Sequence, residues 1–128
     1  MVIFRNYDVR GIYPKEINEI NTHSIARAFG TFTKEKTVLV GRDARLGSPR
    51  MHKVFIQGLL EQGKHVIDLG LTSSPEFYYA QWHWNINAGA MITASHNPKN
   101  YDGIKFASKL PIFMGSGLEK IKKLYEKA

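Results

Sequence analysis

Apolar positions fall into two kinds of stretch along this chain, stripes recurring every three to four residues and short runs with little polar interruption. The stripes are single faces of amphipathic helices, and the runs are strands covered on both sides. Ile25, Ala28, Phe29 and Phe32 predict a helix over 21–33, followed by a short buried strand at 37–40. Ser48 is expected to cap a second helix whose first residue is Pro49, with Met51, Val54, Phe55 and Leu59 on its buried side and Gly63 at its end. A strand at 65–69 follows. Ser74-Pro75 repeats the cap-and-proline start, opening a helix of about ten residues with an aromatic face of Phe77, Tyr78, Tyr79 and Trp82. Residues 88–92 are wholly apolar, and 103–108 resume a strand pattern. Ser116 and Glu119 form a capping box for a closing helix buried through Leu118, Ile121, Leu124 and Tyr125. This alternation predicts one α/β domain over 1–128, a three-layer sandwich with helices on both faces of a small sheet.

The apolar run at 88–92 stops abruptly in Thr93-Ala94-Ser95-His96-Asn97-Pro98, so a hydroxyl stands at the mouth of a buried strand. In sheets of this type chemistry collects just past the strand ends. Thr93, Ser95, His96, Asn97 and Asn100 supply small donors and acceptors, and Pro98 hinders a return to regular structure. Local turn hydrogen bonds alone account equally well for Ser95, Asn97 and Asn100. Lys105, two residues past Gly103, is placed to bring an ammonium back toward the serine. Asp8, Asp43, Asp68 and Asp102 are scattered singly, and the five histidines show no metal-ligand spacing; His23, His52, His65 and His83 read as surface or packing residues.

The segment TASHNPKNYDGIK closely resembles the active-serine signature of the α-D-phosphohexomutases, the phosphoglucomutases, phosphomannomutases and phosphoglucosamine mutases. Phe4-Arg5-Asn6-Tyr7-Asp8-Val9-Arg10-Gly11 resembles the family's opening segment, and Gly41-Arg42-Asp43-Ala44-Arg45 its next, in the family's order. The resemblance runs through essentially the whole chain but covers only the first of four family domains. No DGDGDR-like metal loop, sugar-binding loop or carboxy-terminal phosphate loop occurs in the sequence. Gly47 departs from the pattern, standing where members often have serine. The resemblance also implies a mixed sheet, with 103–108 antiparallel to its neighbour.

What the resemblance implies is a phosphoserine at Ser95 that gives its phosphoryl group to a hexose 1- or 6-phosphate, passes through a hexose bisphosphate, and takes the other phosphoryl back. Phosphomannose or phosphoglucose is the expected substrate, with glucosamine phosphate the alternative. Lys105 is implied to contact phosphate or assist proton transfer. Arg10 is implied to reach the seryl phosphate, and a guanidinium suits two-pronged phosphate contact. Tyr7 matches an active-site tyrosine. His96 is suited to donating to phosphate or exchanging a proton with a sugar hydroxyl, with orienting the loop as the lesser alternative. Asn97 is expected to fix the turn beside bound phosphate, and Asp8 to hold Arg10. Arg42, Asp43 and Arg45 fit loop bracing at least as well as substrate contact. Magnesium is the implied cofactor, with Ser95 its single ligand from this chain, too little to hold the ion alone.

Composition adds to this. Lys and Arg number 18 against 11 Asp and Glu, a formal charge of +7 that favours anionic partners. Lys109, Lys120, Lys122, Lys123 and Lys127 read as a solvated helix face, so phosphosugar is favoured over nucleic acid. The absence of cysteine excludes a disulfide framework and thiolate metal sites. No run has membrane-spanning length, and a cytoplasmic location without membrane association is expected. The expected partners are the remaining mutase domains, without which the chain should be inactive, and a second copy pairing through the surface those domains would cover. The alternative is a non-catalytic binding or assembly module, or a split-gene subunit.

Overall fold

The computed structural model describes residues 3–5, 8–95, 97–108 and 116–127. Tyr7, His96, Lys109 and the side chain of Ser116 lie outside the described residues. Elements follow in the order β1 Val9–Ile12, α1 Glu19–Phe32, β2 Thr37–Arg42, α2 Ser48–Glu61, β3 His65–Leu71, α3 Ser74–His83, β4 Ala88–Ile92, β5 Tyr101–Ser108 and α4 Ser116–Lys127. The sheet order is β1-β5-β4-β2-β3. β2 runs parallel to both β3 and β4, whereas β5 is antiparallel to β4 and β1, which makes the sheet mixed.

The period of two along the strands builds two cores. Val38, Val40, Ala88, Ala90, Ile92, Ile104 and Phe106 face one way and meet α1, α2 and α4 through Ile25, Phe29, Met51, Phe55, Leu59, Leu118 and Ile121. Phe29 anchors this side, 4.8 Å from the Phe106 ring and 6.5 Å from Phe55. Leu39, Met91 and Ala107 face the other way, onto Phe77 and Ala80 of α3 and onto Ile86. α2 and α3 therefore take opposite faces, as right-handed crossovers running in opposite directions along the sheet require. Those crossovers leave β2 and β4 side by side with their carboxy-terminal ends together.

Local chemistry sets the helix ends differently from expectation. α1 begins two residues early because Asn18 caps it, exchanging bonds with Asn21 in a capping box. α3 is capped by Ser73 rather than Ser74, with Glu76 completing the box. α2 follows Gly47, which offers no side-chain cap, and Ser48 is its first residue with its hydroxyl committed elsewhere. The expected aromatic face of α3 does not form: Phe77 is buried, but Tyr79 and Trp82 are 68% and 66% exposed and Tyr78 is partly so. Aromatic residues on consecutive positions cannot share one side of a helix. On α4, Leu118 and Ile121 are buried, Leu124 and Tyr125 partly so, and Lys120, Lys123 and Lys127 lie in solvent.

The thin α3 side depends on one close approach. A Cβ on Gly89 would stand 2.8 Å from Phe77 Cζ and 3.1 Å from Gln81 Nε2, so the bare backbone of β4 is what lets Phe77 lie flat against the sheet. Gly89→Ala is expected to cost about 1–3 kcal/mol by overpacking, read as a lowered urea midpoint. Leu46→Ala, at a side chain 90% exposed, should stay within about 0.5 kcal/mol.

Candidate functional site

At the ends of β2 and β4 the chain turns into two loops, and hydrogen bonds tie them together. Asp43 N–H donates to the Ile92 carbonyl, extending the parallel pairing by one step. Thr93 follows β4; its hydroxyl donates to Asp43 Oδ2 at 2.6 Å and accepts the Ser95 N–H at 3.0 Å. Ser95 is exposed, with φ at +55°, the left-handed region. Its hydroxyl makes no hydrogen bond to a described residue.

Arg45 supplies the brace. Its Nη2 donates to the carbonyls of Ser95 (2.6 Å) and Asn97 (3.0 Å), its Nη1 to those of Pro98 (2.8 Å) and Tyr101 (3.1 Å), and its Nε to Asp43 Oδ2 (3.2 Å). All five guanidinium donors are engaged, so Arg45 has none left for a substrate. Asn97 closes the turn, its backbone N–H and side-chain amide both donating to the Ala94 carbonyl. Arg42 donates to the Asp43 carbonyl. The segment Gly41 to Arg45 is thus a loop brace.

The implied cations share one face of the sheet but are separately engaged. Arg10 pairs with Gly103 across β1 and β5, and Lys105 pairs with Met91 across β5 and β4, which puts both on the α3 face of the sheet. Arg10 Nε donates to Asp8 at 2.5 Å, as the support role of Asp8 requires. Lys105 Nζ lies 5.5 Å from the centre of the Tyr78 ring. Neither bonds to Ser95 among the described residues. Tyr7 and His96 lie outside those residues.

Two features escaped the sequence. Ser48, expected as a helix cap, lies instead between two carboxylates, its Oγ 2.8 Å from Asp43 Oδ1 and 2.9 Å from Asp102 Oδ2. Asp43 and Asp102, scattered in sequence, meet through it. Asp102 is fully buried, its Oδ1 accepts the Gly103 N–H, and burial pushes its pKa up to about 6 against the opposing pull of that N–H and of Ser48. Gly47, whose lack of a side chain looked like a departure, makes room for Tyr13: a Cβ there would sit 2.6 Å from the ring. His52, expected as a surface or packing residue, is buried, with Nε2 2.8 Å from Asp68 Oδ1 but not aligned for a hydrogen bond. Burial lowers its pKa, against the pull of Asp68.

The described residues do not by themselves form a magnesium site. Among the described residues no three histidine or carboxylate side chains converge as an ion site, and Asp43 and Asp102 turn inward onto Ser48, Thr93, Arg45 and Gly103. No described helix is long and apolar enough to cross a membrane.

Comparison with known proteins gives one consistent result. Residues 1–128 match the model of the phosphoglucomutase/phosphomannomutase α/β/α domain I. The chain is 38% identical to a phosphomannomutase of Klebsiella pneumoniae over 128 residues, covering 98% of this chain and 82% of that protein. It is 37% identical to the phosphomannomutase of Escherichia coli K12, covering 98% of this chain but 28% of that one. A phosphoglucomutase/phosphomannomutase family protein from Burkholderia thailandensis superposes with a TM-score of 0.87 at 28% identity, over 98% of this chain and 30% of its own. The chain thus spans less than a third of the length of the latter two.

Because four carbonyls hang on one guanidinium, Arg45→Ala is expected to cost about 2–4 kcal/mol and Arg45→Lys only slightly less, since an ammonium has three donors and no fork. Hydrogen exchange should show where the loss falls: the amides of Ser95, Asn97 and Tyr101 lose protection in both variants, while those of α1 and β2 keep their order of protection.

Proposed function

The chain belongs to the phosphoglucomutase/phosphomannomutase family as its domain I, and from this premise we propose that it provides the phosphoryl carrier of a hexose-phosphate mutase, with Ser95 as the carrying residue. The observation that supports this best is the setting of Ser95: an exposed hydroxyl at the carboxy-terminal end of β4, unengaged by described residues, on a backbone pinned from one side by Thr93 and from the other by Arg45. A carrier needs both properties. Its oxygen must reach a substrate and a partner domain, and its backbone must not recoil as the phosphoryl group arrives and leaves.

In the proposed reaction a hydroxyl of a hexose phosphate attacks the phosphorus of phosphoserine. The new oxygen–phosphorus bond forms as the Ser95 Oγ–phosphorus bond breaks, and the sugar hydroxyl proton passes to a base. The sugar is then a bisphosphate. In the reverse step Ser95 Oγ attacks the other phosphoryl group, and the net change is a phosphoryl group moved between C1 and C6. The protein's main task is stabilising charge on the transferring oxygens. Arg10 and Lys105, on one face of the sheet, are the cations of this chain assigned to that task. His96 and Tyr7 are assigned to the substrate side, and Asn97 to holding the turn. The formal charge of +7 draws anionic sugars toward the site. Hexose 1- and 6-phosphates are the proposed substrates.

The chain alone is proposed to be inactive. Its described residues present the carrier and its brace but no converging acidic groups for a metal, and full-length relatives carry more than twice as much chain again. Those further domains are the proposed partners, in a cytoplasmic enzyme.

Incubated with glucose 1,6-bisphosphate and the remaining domains of a family member in trans, the chain should gain the mass of one phosphoryl group, localised to Ser95 by peptide sequencing. Ser95→Ala should gain none. Phosphorylation at another residue, or sustained mutase turnover by the purified chain alone, would contradict this reading.

A further inference from the structure

Asp102 is a fully buried carboxyl on β5 that takes no part in the phosphoryl chemistry above. Between it and Asp43 stands one hydroxyl, that of Ser48, within hydrogen-bond distance of both. A hydroxyl has one hydrogen to give, and ionised carboxylates only accept. Ser48 therefore cannot satisfy two ionised carboxylates at once. With a proton on Asp102 the chain of bonds closes: Asp102 donates to Ser48, Ser48 to Asp43, and Asp43 accepts in addition from the Thr93 hydroxyl, the Arg45 backbone N–H and Arg45 Nε.

We propose that Asp102 is a positioning residue for Ser95: its carboxyl holds a proton that directs the Ser48 hydroxyl onto Asp43, and losing that proton turns the hydroxyl away and loosens the loop. The path to Ser95 is short and continuous. Asp43 holds both arms of the brace, Thr93 on the Ser95 N–H and Arg45 on the Ser95 carbonyl. Ionised Asp102 competes for the Ser48 hydrogen and leaves Asp43 with one donor fewer.

The charged groups facing Asp102 come from the loop between β2 and α2, where Asp43 opposes ionisation and Arg45 favours it. α2 presents Ser48, β1 presents Gly11 opposite in register, and β4 ends at Ile92 beside Ile104. Burial is the strongest influence, and it raises the carboxyl from its ordinary 3.8 to about 6. The folded chain thus binds this proton more tightly than the unfolded one. Asp102 supports folding fully below the ordinary value, and its support falls as pH rises toward 6 and stays lost above. Loop order follows the same direction.

Asp102→Asn tests this, because an amide can still accept from Gly103 and donate to Ser48 at every pH. At about pH 4.5 the chain and the variant should melt within a few degrees of each other, and at about pH 7.5 the variant should melt roughly 5–10 °C higher. A gap of the same size at both pH values overturns the proposal. In the unaltered chain the Ser95 amide resonance should titrate with the Asp102 carboxyl, and in Asp102→Asn it should be flat over that range. A Ser95 amide indifferent to the Asp102 titration overturns the proposal even if the variant does not fold. Neither readout requires phosphoryl transfer, so a failure here leaves the carrier role standing, and the reverse holds too.

Discussion

One guanidinium decides the shape of the site. The segment from Ser95 to Tyr101 lies between two strands, and its carbonyls at Ser95, Asn97, Pro98 and Tyr101 converge on Arg45. Converging carbonyls repel one another and bind water unless a cation with several donors stands among them. Arg45 suits this place because its donors are fixed in a plane and its charge is permanent. The segment's conformation is therefore imposed from another part of the chain, some fifty residues away in sequence. Asp43 in turn fixes Arg45, and through Thr93 it fixes the near side of the same loop.

That contact exists only because of how the sheet is wound. β2 leads through α2 to β3 on one side, and β3 returns through α3 to β4 on the other. The loop from β2 to α2 and the loop from β4 to the antiparallel β5 thus leave neighbouring strand ends side by side, with a crevice between them. The brace crosses this crevice. Its floor is the fully buried strand β4, whose Gly89 lets α3 lie close. Packing of Phe77 on that strand and the register of Ile92 against Arg42 are consequently part of what aims Ser95 outward.

Much of this was legible in the residues. The unbroken apolar run at 88–92 marked the central strand, the three-to-four spacing marked the helices, and the break after Ile92 marked the loop that follows that strand. The antiparallel turn of 103–108 agrees with its pairing to β4. The misses have physical causes. Ser48 looked like a cap because serine before proline usually is one, yet two carboxyls, buried Asp102 and half-buried Asp43, made a stronger claim on its hydroxyl. Asp43 and Asp102 looked isolated because closeness in space across parallel and antiparallel strands leaves no mark in spacing. The aromatic run of α3 suggested burial by composition, but only every third or fourth position of a helix faces a sheet, and Phe77 took it.

Ser95 holds a backbone conformation that few serines adopt. A φ of +55° suits glycine, and for other residues it costs roughly 1–2 kcal/mol. Glycine would relieve that cost and remove the hydroxyl, so structure and chemistry make opposite demands at one position. The chain meets both by overdetermining the neighbours: Thr93 accepts the Ser95 N–H, Arg45 donates to the Ser95 carbonyl, and Asn97 closes the turn behind them. The charge-assisted bond from Arg45, with the neutral bonds beside it, contributes about as much as the strain costs. The same bonds leave the backbone with nothing further to gain by relaxing, so the hydroxyl stays presented whether or not a substrate is near.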